Sequence, residues 1–354
     1  MADELAEFSA RIEPLDATVL QAARDKWNAV AKPIGSLGAL ERMVEQIAGL
    51  VGDIDFSLDK RAVVVLCADN GVVAQGVSQS QPDITTVIAG SVARGISSVC
   101  KMAHTGGIDA YSVDMGMLDP SDVPGVIDRH IARGTNDISM GPAMTREQAL
   151  EAIRVGVDLV GEFKEKGYQI LATGEMGIGN TTTSSAMVAA FFGISVDKVT
   201  GRGAGLSDAG LQRKRDAIER ALRVNAPDPE DPLAVLSCLG GFDIAGLAGM
   251  FIGGAVHRVP IIIDGFISAL SAYTAARLVP ACRCAMLASH VSAEPAAHLL
   301  LEQLGVEPVI QAGLRLGEGT GAVLLPPMLD AALALYNGTT FDATGIDAYE
   351  VDLH

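Results

Sequence analysis

The chain has 354 residues, 49% of them hydrophobic, with 39 glycines, a single tryptophan and a formal charge of −17. This length accommodates one large domain or two ordinary ones, with a core of Ala, Val, Ile, Leu and Met in the manner of α/β enzymes. The acidity argues against a nucleic-acid partner, whose footprint is basic; it reads most simply as solubility and does not forbid a small anionic ligand held by local donors.

The first residues, Met1-Ala2-Asp3-Glu4, are acidic and do not form a signal peptide. Residues 16–30 and 38–52 read as amphipathic helices, separated by Lys32-Pro33-Ile34-Gly35-Ser36-Leu37-Gly38, where Ser36 can cap the second. The first clear strand, Ala62 to Ala68, ends in Asp69-Asn70-Gly71; a loop with Ser78, Ser80 and Pro82 leads into one helix from about Thr85 to Ala103. A second strand, Ile108 to Val113, ends in Asp114-Met115-Gly116, and a less regular stretch follows. Thr145 and Gln148 form a capping box for a helix running to about Lys166, where Gly167 stops it.

The strand Tyr168 to Ala172 then meets Gly174-Glu175-Met176-Gly177-Ile178-Gly179-Asn180-Thr181-Thr182-Thr183, followed by a small, apolar helix over 184–192. Strand, glycine turn and helix together aim backbone N–H groups at an anion. Gly174, Gly177 and Gly179 permit φ > 0 or close approach, and Asn180 to Thr183 add side-chain donors that can cap the helix. The spacing approaches a Walker A loop, but Asn180 stands where the phosphate-reaching lysine is required, which removes the support for an ATPase. A phosphate or phosphosugar site is one reading; a turn that merely packs a helix on a strand is the other.

Gly201-Arg202-Gly203-Ala204-Gly205 is a second glycine cluster, and Ser207 caps a charged helix carrying Arg213, Lys214 and Arg215. Leu239-Gly240-Gly241-Phe242-Asp243 opens a Gly/Ala-rich helix, whose flanking charges mark it as buried rather than membrane-spanning. Further strands are expected at Pro260–Ile263, at Ala285–Ala288 and at Pro308–Ile310, before Arg315-Leu316-Gly317-Glu318-Gly319-Thr320-Gly321 and a last long helix. Five cysteines, an odd number mostly in apolar runs, fit reduced core residues of a cytoplasmic protein. Cys282-Arg283-Cys284 lacks the spacer of a zinc or redox pair, so no metal site is expected.

Strands alternating with helices argue an α/β fold, with a mostly parallel sheet covered on both faces. Asp69, Asp114, Glu175, Asp264, His290 and Glu318 each follow a strand. One pocket beyond the strands' carboxyl ends collects them most economically, although an acid after a strand is also ordinary loop chemistry.

Taken in order, Lys32 to Gly38, Ala68 to Val72, Gly174 to Thr182, Gly201 to Leu206, Ser289 to Pro295 and Leu316 to Ala322 resemble the motifs of nicotinate-nucleotide–dimethylbenzimidazole phosphoribosyltransferases, over almost the whole chain. The resemblance implies a Rossmann-like domain over 59–321, a small helical domain from 1–58 and 322–354, and a homodimer. It also implies transfer of phosphoribose from nicotinate mononucleotide to 5,6-dimethylbenzimidazole, giving α-ribazole 5′-phosphate and nicotinate, with no cofactor.

By the same resemblance Glu318 is the general base, and Glu175 serves the ribose hydroxyls or the C1′ region. Gly177, Ile178, Gly179, Asn180 and Thr181 hold the 5′-phosphate. Lys214 and Arg315 are cationic candidates that read equally well as solvated charges, and Ser292 is a further phosphate candidate. Ser80, with Ser78 as its rival, lines the base slot, to which Asp69 is also assigned. Many relatives carry His where this chain has Asn70, which leaves the acceptor open among benzimidazoles, purines and phenols. A nucleotide hydrolase lacks its lysine here, and a dinucleotide oxidoreductase lacks its early glycine fingerprint. A non-catalytic sensor of nucleotide or base is the remaining alternative; it would tolerate the loss of Glu318, which is present in its full motif.

Overall fold

The computed structural model describes residues 2–119 and 123–349. Its centre is a sheet of six parallel strands: β1 Arg61–Ala68, β2 Ile108–Gly116, β3 Ile127–Asp128, β4 Ile170–Met176, β5 Ile261–Ile263 and β6 Met286–Ala288. The spatial order is β3-β2-β1-β4-β5-β6, the doubly wound Rossmann order. Every residue of β1 is buried, because both faces are covered. Ala62, Val64, Leu66 and Ala68 enter one core while Val63, Val65 and Cys67 enter the other, the two-residue alternation of a pleated strand.

The chain first builds outward from β1 to β2 and β3, then returns to place β4 on the other side of β1. Loops leaving β1 and β4 therefore diverge at their carboxyl ends, and a crevice opens between them. Register brings Leu66 beside Glu175 and Cys67 beside Met176, so β4 carries Glu175 to the rim of this crevice.

Several local expectations are revised. The strand β4 runs through Gly174 and Glu175 to Met176, leaving a turn of only three residues before the helix Asn180–Phe192. The segment after Ser80 holds two helices, Asp83–Ala93 and Ser98–Thr105, rather than one. Gly95, at φ +70°, breaks them, and the Ser97 hydroxyl caps the second by accepting from Cys100 N–H. Pro308 to Ile310 forms no strand, only a single bridge between Ile310 and His290, while β3 arises from the stretch that looked irregular. Ser36 does not cap the helix Ala39–Val51; the Glu41 carboxylate instead reaches back to accept from Leu37 N–H and from the buried Lys32 ammonium. The capping box of Thr145 and Gln148 forms as expected.

Trp27, Val44, Ala48, Ala332 and Tyr336 make a separate small core where helices Ala17–Ala29, Ala39–Val51 and Leu325–Tyr336 meet. The Trp27 and Tyr336 rings lie 4.8 Å apart. The helix Ala2–Arg11 instead sends Phe8 into the large core.

Behind the sheet, helices Arg146–Glu165 and Phe242–His257 cross with their backbones in contact. A β-carbon at Gly249 would lie 2.0 Å from the Ile153 carbonyl oxygen, and one at Gly156 would lie 2.0 Å from that of Gly246. The small residues of the second helix are what let it approach this closely. Gly249→Ala is therefore expected to destabilise the fold by at least about 1–3 kcal/mol, despite alanine's better helix propensity. Urea unfolding of the variant beside wild type measures it, and an unchanged midpoint would mean that the helices are free to separate at no cost.

Candidate active site

The crevice is a cleft of about 290 Å³ lined by the end of β4 and by segments that follow β1, β4, β5 and β6. One wall is the glycine turn, another the Gly201–Ala204 region, and the far side is the segment 314–320.

The turn is built from close approaches. Gly179 takes the left-handed conformation at φ +95°, and a β-carbon there would meet the Val73 side chain at 2.8 Å. Gly177 keeps an ordinary φ, but a β-carbon on it would lie 2.6 Å from the Ala68 carbonyl and 2.7 Å from an Asp243 oxygen. Gly174 is likewise required by space, since its β-carbon would stand 2.7 Å from the Glu318 carbonyl oxygen. No side chain caps the helix Asn180–Phe192. Asn180 turns inward, donating from Nδ2 to Asp243 at 2.9 Å and also to Glu175, and Thr183 bonds back to the Asn180 carbonyl. The N–H groups of Ile178, Asn180 and Thr182 are taken by Thr85 Oγ and by the Gly177 and Gly179 carbonyls, which leaves those of Gly179 and Thr181, without a partner among the described residues, for an anion.

Glu318 faces this turn from a strained loop. Its φ is +61°, between Gly317 at +88° and Gly319 at +85°. A non-glycine residue in this region persists only where its surroundings impose it. Here Gly319 lies against Val63 and the Thr173 carbonyl, Thr320 Oγ donates to the Gly317 carbonyl at 2.7 Å, and Asp264 accepts from Gly321 and Ala322 N–H at 2.9 and 2.8 Å. The Glu318 Oε2 atom is buried and has no hydrogen-bond partner. Burial, and then the charge of Asp264, raise this carboxyl above its ordinary value of 4.5.

Several carboxyls share the floor with few donors. Burial first, then Asp243, Asp264 and Glu318, push Glu175 well up, and the Asn180 amide only partly offsets them. Asp243 is pushed up to about 6 by burial, offset in part by Asn180. Its Oδ1 and the Asn70 Oδ1 are both buried without partners, and both flank the position a β-carbon of Gly241 would take, at 2.4 and 2.7 Å. A buried carboxyl oxygen without a donor favours the protonated acid.

Of the residues singled out from sequence, Glu175, Gly177, Ile178, Gly179, Asn180, Thr181, Ser78, Ser80, Ser292, Arg315 and Glu318 all line the cleft. Ser78 Oγ accepts from Ser80 N–H at 3.1 Å and so serves the turn itself; no hydrogen bond to the Ser80 hydroxyl is found among the described residues. Lys214 does not reach the cleft. It is completely buried behind the turn, donating to Thr181 Oγ at 2.9 Å and to the Gly201 carbonyl at 3.2 Å, so it acts on the turn from behind. Asp69 is not among the residues that line the cleft; its carboxylate accepts from the Thr85 hydroxyl at 2.6 Å and from Leu118 N–H at 2.8 Å. Asp114 is likewise occupied elsewhere, by the N–H groups of Gly116 and Met117 and by His130. Asp264 and His290 do line the cleft. Asp243 is the residue that sequence reading passed over; its only signal is an acid in the first turn of an otherwise apolar helix.

The folded Asp243 carboxyl lies near 6 against an ordinary 3.8, so its acid form favours the fold below about pH 4, and that contribution is lost as pH rises through about 6. Asp243→Asn keeps an acceptor for Asn180 and removes the ionisable group. Its stability relative to wild type is expected to improve by on the order of 3 kcal/mol between pH 4 and pH 7, read from paired denaturation curves. A pH-independent difference would show that Asp243 is ionised throughout.

A phosphoribosyltransferase family model matches residues 12–346. The nicotinate-nucleotide–dimethylbenzimidazole phosphoribosyltransferase of Acetivibrio thermocellus is 44% identical over 339 residues, covering 96% of this chain and 95% of that protein. The enzyme of the same name from Geobacter metallireducens is 42% identical over 97% of this chain and 98% of its own. The crystal structure of the Thermus thermophilus nicotinate-nucleotide–dimethylbenzimidazole phosphoribosyltransferase superposes with a TM-score of 0.87 at 36% identity, covering 94% of this chain and 99% of that one. With a matching fold, a matching family model and relatives aligned end to end, the chain belongs to the nicotinate-nucleotide–dimethylbenzimidazole phosphoribosyltransferase family.

Proposed function

We propose that the cleft transfers 5-phosphoribose from nicotinate mononucleotide to 5,6-dimethylbenzimidazole, giving α-ribazole 5′-phosphate and nicotinate for the lower ligand of cobalamin. The observation that carries the assignment of chemistry is Glu318: a strained, half-buried carboxylate with an unpartnered oxygen, facing an anion-binding turn across a cleft of small-molecule size. Among its neighbours, the helix start at Gly177 to Thr181 receives the 5′-phosphate, assisted by Ser292 and by Arg315 at the mouth. Lys214 holds Thr181 in place. The base enters between Ser80 and the apolar side chains of Val77, Ile84, Met176 and Leu316.

In the reaction, one azole nitrogen attacks C1′ from the face opposite the pyridinium. The other nitrogen gives its proton to Glu318, whose raised affinity for protons suits it to that role. The C1′–N bond breaks with its electron pair returning to the pyridine nitrogen, so the leaving group departs neutral and needs no acid. Positive charge builds on the ribosyl carbon in the transition state, and the acids Glu175, Asp264 and Glu318 surround that region with negative potential. Their mutual repulsion is eased by the positive pyridinium nitrogen that the nucleotide carries at C1′.

The helical cluster from both chain ends forms the small domain of this reading, with 59–321 as the large one and the helix Ala2–Arg11 resting on the latter. A cytoplasmic homodimer completes it. Among the described residues no helix is long and apolar enough to cross a membrane.

Product formation from nicotinate mononucleotide with a panel of benzimidazoles, purines and phenols tests the function. Glu318→Gln should lower kcat by about 10²–10⁴ while leaving mononucleotide binding within a few-fold. The acid limb of kcat/KM in wild type should lie above 4.5, because activity is lost as pH falls through the raised value, and should vanish in the variant. Binding of the mononucleotide without transfer to any base would favour a nucleotide sensor.

A further inference from the structure

We infer that His290 is a substrate-contacting residue whose neutral Nε2 lone pair accepts a hydrogen bond from a ribose hydroxyl of the mononucleotide. The inference rests on the proposed substrate, but its first step concerns the protein alone.

Ser289 and His290 follow β6 and are buried, His290 at only 3% exposure. The Ser289 hydroxyl lies 2.6 Å from the Ile263 carbonyl oxygen, which can only accept, so the single hydroxyl hydrogen is committed there. His290 Nδ1 lies 3.0 Å from the same Ser289 Oγ. With that hydrogen already used, the imidazole must donate, and Nδ1 carries the proton. In the neutral ring Nε2 is then a bare acceptor. Burial disfavours the imidazolium, and the charge of Asp264 only partly opposes this.

The ring is closely packed. A β-carbon at Gly321 would lie 2.1 Å from the His290 Cε1 atom, so the imidazole is packed flush against the backbone that follows Glu318. Its Nε2 faces the cleft wall at Gly265, where a β-carbon would lie 3.7 Å from Nε2 and 3.8 Å from Ser292 Oγ. His290, Gly265 and Ser292 line the same cleft.

A fixed acceptor selects a donor. In fully ionised nicotinate mononucleotide the carboxylate and phosphate only accept, and the pyridinium nitrogen has no hydrogen. The two ribose hydroxyls are the donors it offers. A phosphate at this position would instead require the ring to be charged.

Nitrogen-15 NMR of histidine-labelled wild type, assigned by difference against His290→Asn, reads the tautomer directly. The expected result is an Nδ1–H imidazole at pH 7.5 that stays neutral when nicotinate mononucleotide is added. An Nε2–H ring in the free protein, or an imidazolium in the complex, would overturn the inference, the latter in favour of phosphate contact. Binding supplies the second arm. Asparagine places an amide donor near Nδ1 and keeps the Ser289 contact, yet has nothing at Nε2. His290→Asn should weaken the mononucleotide by about five- to tenfold. For either the 2′-deoxy or the 3′-deoxy analogue it should change affinity less than twofold, because that hydroxyl is already gone. Equal losses for all three ligands would show that the residue acts on the fold and not on the ribose. If wild type binds no mononucleotide at all, the functional reading fails; if it binds but the cycle is additive, only the role of His290 fails.

Discussion

The site depends on one close contact between backbones: the loop carrying Glu318 lies directly on β4. Gly174 has no side chain because the Glu318 carbonyl occupies the space, and Gly319 has none because Val63 and the Thr173 carbonyl do. That contact requires left-handed conformations at Gly317, Glu318 and Gly319, of which only the middle one is costly. Asp264, at the end of β5, fixes the far end of the loop through the N–H groups of Gly321 and Ala322. Two adjacent strands therefore aim one carboxylate, and the strain is held by the sheet rather than by the loop itself. A glutamate so placed loses little entropy on meeting its substrate.

The same geometry gathers acids faster than it supplies donors. Asn180 divides one amide between Glu175 and Asp243, and Glu318 is left with an unpartnered oxygen. In a stable structural core such an arrangement would be a defect. At a site whose ligand carries a pyridinium, and whose transition state carries positive charge on carbon, it is stored electrostatic potential. The overall negative charge of the chain is compatible with this, because the relevant field is set within the cleft.

Much of this was legible in the sequence, for identifiable reasons. Long apolar runs and their polar ends located β1, β2 and β4, and the ordered glycine motifs located the cleft, because close backbone approach leaves a residue-type signature. What was hidden depends on tertiary geometry. A two-residue strand such as β3 has no periodicity to read. Ser36 looked like a helix cap, yet the buried Lys32–Glu41 pair took over that end of the helix. Asp69 follows β1 and Glu175 lies within β4, yet of the two only Glu175 lines the cleft. The side chain of Asp69 is consumed by Thr85 and Leu118.

Asn180 and Lys214 together explain why this turn resembles a nucleotide-hydrolase loop without being one. In a hydrolase the lysine reaches forward to phosphates that are themselves reacting, so its charge must enter the transition state. Here the phosphate would be a handle and the reacting centre lies at C1′, beside the acids. A lysine at position 180 would pair with Glu175 and Asp243 and hold them ionised, whereas the amide of Asn180 orients them by hydrogen bonds alone. The cation comes instead from the helix Asp208–Asn225, behind the turn, where Lys214 bonds only to the neutral oxygens of Thr181 and Gly201. Burial lowers it to about 8, so the ammonium form is favoured further by any anion seated in the turn. Positive and negative potential are thus kept on opposite sides of one glycine turn, as a substrate with a phosphate at C5′ and a positive pyridinium nitrogen at C1′ requires.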